Sequence, residues 1–238
     1  MSKLPKYKSE YSFKEGEILL INKPYTWSSF QVVNKIRYTI RHFLDVKKIK
    51  VGHAGTLDPL ATGLLIICTG KFTKRIEEFQ AHEKEYTGKF YLGATTPCFD
   101  LEKEVDQTFP IEHITEEQIF STAKSFLGDQ DQVPPIFSAI RIDGKRAYRY
   151  ARDNEEVVIK PKLINIAEFE ITKIEMPEVH FRIVCSKGTY IRSIARDFGL
   201  ALESGAYLSE LKRTRIGEFK LTDALEIEEF KQHLEDLK

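Results

Sequence analysis

Residues 51–70 read VGHAGTLDPLATGLLIICTG. The run Leu64–Cys68 is unbroken and apolar, with the length of a buried strand. The residues before it form a glycine-rich loop with a single acid, Asp58. Gly52, Gly55 and Gly63 let backbone approach backbone, or a ligand, without a Cβ in the way. Pro59 holds its own φ and biases Asp58 away from helical geometry. Leu57, Leu60, Leu64 and Leu65 make the surroundings apolar, so the Asp58 carboxylate is expected to be desolvated and must protonate or find a cation. Two uses fit such a group: a catalytic carboxylate, or a structural one taking hydrogen bonds from loop amides.

Outward from this loop, helices and strands are mixed. Upstream, Glu17–Lys23 (EILLINK) reads as a short buried strand stopped by Pro24. Ser28 or Ser29 is placed to cap a helix with the apolar stripe Phe30, Val33, Ile36, Ile40 and Phe43. Downstream, a helix is expected from near Phe72, then a half-buried strand through Tyr86, Gly88, Phe90 and Leu92. Thr115-Glu116-Glu117-Gln118 is a capping box opening a helix through Phe126–Leu127 that Gly128 ends. Val179, Phe181, Ile183 and Cys185 alternate as a strand. Ile191, Ile194, Phe198 and Leu202 then mark a helix, with Arg192 and Arg196 off its stripe. No regular βαβ repeat appears, so the expected class is α+β around one mixed sheet.

The chain has 238 residues, 42% hydrophobic and 30% charged, which is an ordinary globular composition. Lys plus Arg and Asp plus Glu are both 36, but the charges are segregated. Lys35, Arg37, Arg41, Lys47, Lys48 and Lys50 crowd the Asn34–Lys50 stretch against Asp45 alone. Arg141, Lys145, Arg146, Arg149 and Arg152 crowd Arg141–Arg152 against Asp143. Leu221–Lys238 is acidic. Such blocks fit a protein with one polyanion-facing side, or simply solvated helix faces.

The three cysteines are far apart and the six histidines lack metal-ligand spacing, so neither a disulfide framework nor a metal site is supported. Gly70-Lys71 lacks the rest of a P-loop, and no G-x-G-x-x-G follows a strand, which argues against a nucleotide cofactor. Met1–Glu17 has no apolar core and no apolar run reaches the length of a membrane span. The expectation is a cytoplasmic protein with reduced thiols and no membrane or cofactor partner. The lack of a surplus apolar stripe favours a monomer.

Two further segments carry chemistry. KGTYIR (Lys187–Arg192) puts Tyr190 and Arg192 at a strand-to-helix junction, where a guanidinium could hold Asp58 ionised and the tyrosine could stack on a flat ligand. An edge-of-core tyrosine and a surface arginine are the plainer alternative. In Pro134–Arg152 the aromatics Phe137, Tyr148 and Tyr150 alternate with arginines, as in many single-stranded RNA binders, though a solvated loop and helix has the same composition.

Together these segments resemble the TruB-type tRNA pseudouridine synthases, which act on uridine-55 in the T loop of tRNA. GHAGTLDPLATG (Gly52–Gly63) carries the resemblance most strongly. LLINKP (Leu19–Pro24), KEYTGKFYLG (Lys84–Gly93), PPIFSAIRIDGKRAYRYAR (Pro134–Arg152), CSKGTYIRSIARD (Cys185–Asp197) and LKRTRIG (Leu211–Gly217) follow in the family's order. The resemblance implies a pseudouridine-synthase fold: a central mixed, largely antiparallel sheet flanked by helices, with an RNA-binding thumb at about residues 129–156. It implies that Asp58 is the nucleophile, that Tyr86 stacks on the target base and is a candidate to accept or relay its C5 proton, and that Arg192 pairs with Asp58. It further implies that Tyr190 lines the base pocket, Leu211 closes over the uracil, and His53 contacts the RNA. Lys23, Lys74, Arg141, Lys145 and Arg149 would face the RNA.

The implied organisation is a flexible leader (1–16), a catalytic domain (17–220) and a short acidic C-terminal helix (221–238), with no PUA-type domain. Departures from the family pattern fall at Thr96–Lys103, where Pro97, Cys98 and Lys103 replace the D, T and G of T-D-T-x-D-x-x-G, and at Asn22 and Thr26. The implied function is isomerisation of tRNA uridine-55, with the T stem-loop as partner. Two alternatives are a tRNA-folding chaperone and a pseudouridine synthase of other RNAs.

Overall fold

In a computed structural model the described residues are 7–138, 140–142, 144–153, 155 and 157–238. Ala139, Asp143, the side chains of Tyr148 and Arg152, and the first six residues of the expected leader lie outside them. In chain order the elements are β1 (Ile18–Lys23), α1 (Ser29–Leu44), β2 (Val51–His53), β3 (Ala61–Thr69), a 3-10 turn (Gly70–Arg75), α2 (Ile76–Ala81) and β4 (Lys84–Leu92). Next come β5 (Ala94–Thr95), β6 (Gln107–Thr108), α3 (Glu116–Ser125), β7 (Gly128–Gln132), β8 (Arg141–Ile142), β9 (Lys145–Arg146) and α4 (Ala147–Arg152). The chain ends with β10 (Lys162–Glu175), β11 (Glu178–Cys185), α5 (Ile191–Ala201), β12 (Ala206–Ile216), β13 (Phe219–Lys220), a 3-10 turn (Leu221–Asp223) and α6 (Ile227–Asp236).

Among the described residues the main sheet has nine strands, in the order β1-β3-β12-β4-β11-β10-β7, with β2 on β3 and β13 on β12. The β3–β12 pairing is parallel, while β1–β3, β2–β3, β12–β13, β10–β11 and β7–β10 are antiparallel. The expected mixed, largely antiparallel sheet is therefore what the chain builds.

The chain divides into two compact units, Met1–Tyr86 with Leu211–Lys238, and Thr87–Glu210. In the first, β3 explains the apolar run of the sequence. Leu65 and Ile67 join a core with Val33, Ile36, Ile40 and Phe230, whereas Leu64, Ile66 and Cys68 join another with Phe79 and Phe219. Both faces of the strand are covered, so no polar alternation remains. In the second unit, Phe90, Phe126, Phe169, Phe181 and Phe198 form an aromatic cluster with ring centroids 4.3–6.4 Å apart.

Local signals behave as their chemistry predicts at the helix starts. Ser28 caps α1 through a capping box with Gln31, and Thr115 caps α3 through one with Gln118. Four expectations need correction. Phe30 is 64% exposed, because the buried stripe of α1 runs Val32, Val33, Ile36, Thr39 and Ile40. The helix expected near Phe72 opens as a 3-10 turn. α3 stops at Ser125, and Gly128, at φ +93°, begins a strand. That strand, β7, is polar (GDQDQ) and pairs with β10, so residues 129–132 belong to the sheet and any thumb starts beyond Gln132.

Candidate active site

In the first unit Asp58 sits in the loop joining β2 to β3, and three side chains hold that loop through its backbone. Ser29, at the start of α1, accepts from Leu57 N (2.9 Å) and donates to Leu57 O (3.1 Å). Arg213 on β12, 1% exposed, donates to Gly55 O (3.0 Å) and Leu64 O (2.8 Å). Lys23, at the end of β1, donates to Pro59 O (3.1 Å), Pro24 O (3.0 Å) and Trp27 O. Ala61 N closes the turn onto Asp58 O at 3.1 Å. The loop is fastened to β1, α1 and β12 at once, which positions a carboxylate with little freedom left to lose.

Gly63 shows why a glycine is needed. Its φ is +103°, and a Cβ there would lie 2.3 Å from the Arg213 carbonyl oxygen. Only glycine lets β3 and β12 run parallel at this register, with Leu211 beside Ala61 and Arg213 beside Gly63.

Charge gathers around the loop. Burial pulls the Lys23 ammonium down to about 8; the Asp58 carboxylate opposes that fall and Arg213 adds to it. Lys23 is thus still mainly protonated at pH 7 and sits within electrostatic reach of Asp58. Burial and then the Arg213 charge lower the pKa of His53 from 6.5, so His53 is neutral at pH 7. Asp58 itself is half-buried, not sealed from water as its apolar neighbours suggested, because Pro59 and Leu60 beside it are also half-exposed. Tyr86 and Leu211 are buried, at 8% and 9% exposure.

Lys23 corrects the expectation that it faces RNA. It is 0% exposed and its three N–H groups are on carbonyls, so it is an internal brace. Of the other expected RNA-facing residues, Lys74, Arg141 and Arg149 are exposed. Lys145 lies between Asp153 (2.6 Å) and Glu155 (2.9 Å), over the Tyr150 ring.

The second unit organises Tyr190 and Arg192. The Gln132 side chain accepts from Tyr190 N (2.8 Å) and donates to Tyr190 O (3.1 Å), locking the residue that precedes α5. Arg192 is 5% exposed, contrary to its expected place off the buried stripe. It donates to Cys98 O (3.2 Å) and Phe137 O (3.1 Å), and its Nε lies 3.5 Å from the Asp100 carboxylate. Asp100 is 4% exposed and also accepts from Glu102 N at 3.0 Å. Thr96–Asp100, the segment departing from the family pattern, therefore forms the seat of Arg192. Asp100, Gln132, Ser29 and Arg213 were not expected from the sequence as residues of the site. Asp100 could have been found as the retained acid of that pattern, and Arg213 from its place in LKRTRIG.

The fold is that of the pseudouridine synthases. A protein in a crystal structure of a Cbf5–Nop10–Gar1 complex superposes with a TM-score of 0.70 at 27% identity, over 97% of this chain and 58% of that one. A second, from a structure of an H/ACA RNP bound to a substrate RNA containing 2′-deoxyuridine, gives 0.65 at 26% identity, over 92% and 53%. This chain thus spans less than two thirds of either. In sequence, residues 41–191 match the N-terminal domain of the TruB family of pseudouridylate synthases, and residues 192–237 match the C-terminal domain of tRNA pseudouridylate synthase B. The tRNA pseudouridine synthase B of Flavobacterium johnsoniae is 58% identical over 224 residues, 94% of this chain and 98% of that protein. That of Phocaeicola vulgatus is 59% identical over 224 residues, 94% and 95%. The chain belongs to the TruB family of pseudouridylate synthases.

Proposed function

We propose that the chain isomerises uridine-55 in the T loop of tRNA to pseudouridine, with Asp58 as the essential carboxylate. The N1–C1′ bond breaks, the uracil turns, a C5–C1′ bond forms, and in the net change the C5 proton is exchanged for one on N1. The base must leave the RNA stack to be reached, which requires flat partners and cations for the phosphates. In this reading Tyr86 and Tyr190 receive the uracil, Leu211 covers it, and Tyr86 relays the C5 proton. Arg192 and Lys23 keep Asp58 anionic so that it can attack or assist at the sugar or the base. His53 faces the RNA as a neutral imidazole, and Lys74, Arg141, Lys145 and Arg149 lie toward the phosphates.

The observation that carries the proposal is the bracing of the Asp58 loop from β1, α1 and β12, in a chain of this family. Three buried polar side chains, Ser29, Lys23 and Arg213, fix the backbone on both sides of Asp58, as a preorganised site requires. Release of tritium from tRNA labelled at uracil C5 tests it. Asp58→Asn is expected to lower release at least about a thousandfold while tRNA binding is retained. Normal release by that variant would remove Asp58 from the chemistry.

A further inference from the structure

The basic run between Asn34 and Lys50 has no part in the chemistry above. On α1, positions 30, 34, 37, 38 and 41 share one face at helical periodicity. That face points away from the core: Phe30 and Tyr38 are 64% and 67% exposed, and Asn34 and Arg41 are exposed beside them. Past the helix, Lys47, Lys48 and Lys50 are exposed as well. Among the described residues, Arg41, Lys47, Lys48 and Lys50 have no carboxylate within 4.0 Å. By contrast Lys8, Lys71, Lys89 and Lys173 each pair with a glutamate. The run's one acid, Asp45, ends the helix in the left-handed conformation (φ 48°).

This strip is mechanically tied to the Asp58 loop. Ser29 at its start holds both backbone groups of Leu57, and Arg37 Nη2 donates to Val51 O at 3.0 Å. A 16-residue helix extends about 24 Å, so the strip leads from the loop outward over several nucleotides' length. Arg41 Nε donates to Val46 O at 3.4 Å, and these cations without a carboxylate partner, interleaved with exposed aromatics, match phosphates and unstacked bases or riboses.

We propose that the strip Phe30, Tyr38, Arg41, Lys47 and Lys48 is a second RNA-binding surface, gripping the phosphate backbone of the substrate beside the target loop. The proposal rests on the tRNA-modifying reading above. The test is equilibrium binding of an unmodified full-length tRNA transcript over a salt series. Three proteins are compared: wild type, Arg41→Gln/Lys47→Gln/Lys48→Gln, and a control of equal charge change at exposed lysines elsewhere, Lys124→Gln/Lys173→Gln/Lys220→Gln. All six positions are on the surface, and equal thermal melting of the three proteins verifies their folding. The strip variant is expected to bind about tenfold more weakly at low salt, with the log–log salt slope reduced by about 2–3. Tyr38→Ala should weaken binding about fivefold or more. The control should stay within about twofold of wild type.

Wild-type affinity and slope in the strip variant would overturn the proposal. Equal losses in the strip and control variants would also overturn it, since they would report only overall charge. Tritium release by the wild type, measured alongside, separates the two readings. Release with an unaffected strip variant removes this surface alone, whereas a wild type that neither binds nor isomerises tRNA removes the substrate reading.

Discussion

Lys23 shows how a single side chain can connect fold and chemistry. It ends β1 with its ammonium directed inward, where three carbonyls replace water and the Asp58 charge compensates part of the desolvation. Its folded pKa, about 8, lies below the ordinary value of 10.5. Between those values the unfolded chain binds more protons than the folded one, so the Lys23 contribution to stability rises with pH and is lost as pH falls toward 8. Denaturant unfolding of wild type and Lys23→Met at both ends of that window measures this. The stability difference, wild type minus variant, should grow from pH 8 to 10.5, and a flat difference would mean an unperturbed lysine.

At the level of elements, short irregular segments do the positioning and regular ones supply the rigidity. The Thr96–Asp100 turn is an example: Phe99 takes a positive φ of 64°, and Thr96 Oγ1 donates to Asp100 O at 2.7 Å. The turn thereby presents Cys98 O and the Asp100 carboxylate to Arg192 on α5. Removing that carboxylate takes away an acid 3.5 Å from a guanidinium that is 5% exposed. Asp100→Ala is expected to cost about 3 kcal/mol of stability and to reduce tritium release by misplacing Arg192. Asp100→Asn, which keeps an acceptor for Glu102 N, should be milder in both respects. Urea unfolding and the release assay on the two variants check the order.

On the scale of the whole molecule, the segment after β13 completes a core that the N-terminal half begins. Leu225, Ile227, Phe230 and Leu234 pack with Phe13, Val33, Ile36 and Ile40, and the Phe230 ring meets Phe13 edge-on at 6.3 Å. The acidic composition of this segment described only its outer face. Phe230, at 0% exposure, is enclosed by that core. Phe230→Ala should lower unfolding stability by about 3–5 kcal/mol in urea titration. A loss near zero would mean that α6 is not part of the core.

Sequence alone determined what depends on near neighbours along the chain. Ser28 and Thr115 announced their helices because a capping box spans three residues, and β3 was legible because a strand covered on both faces needs an unbroken apolar run. The Asp58 loop was visible from its glycines and proline. β10 escaped notice because register shifts between Ile166 and Glu168 and between Ile171 and Lys173 break its alternation. The tertiary structure alone decided the rest. Lys23 and Arg192 look like surface cations until the carbonyls that receive them arrive from Pro59, Cys98 and Phe137. Phe30 reads as core until the helix is rotated onto β2 and α6. Burial of a charge is set by partners distant in sequence, and no local pattern encodes it.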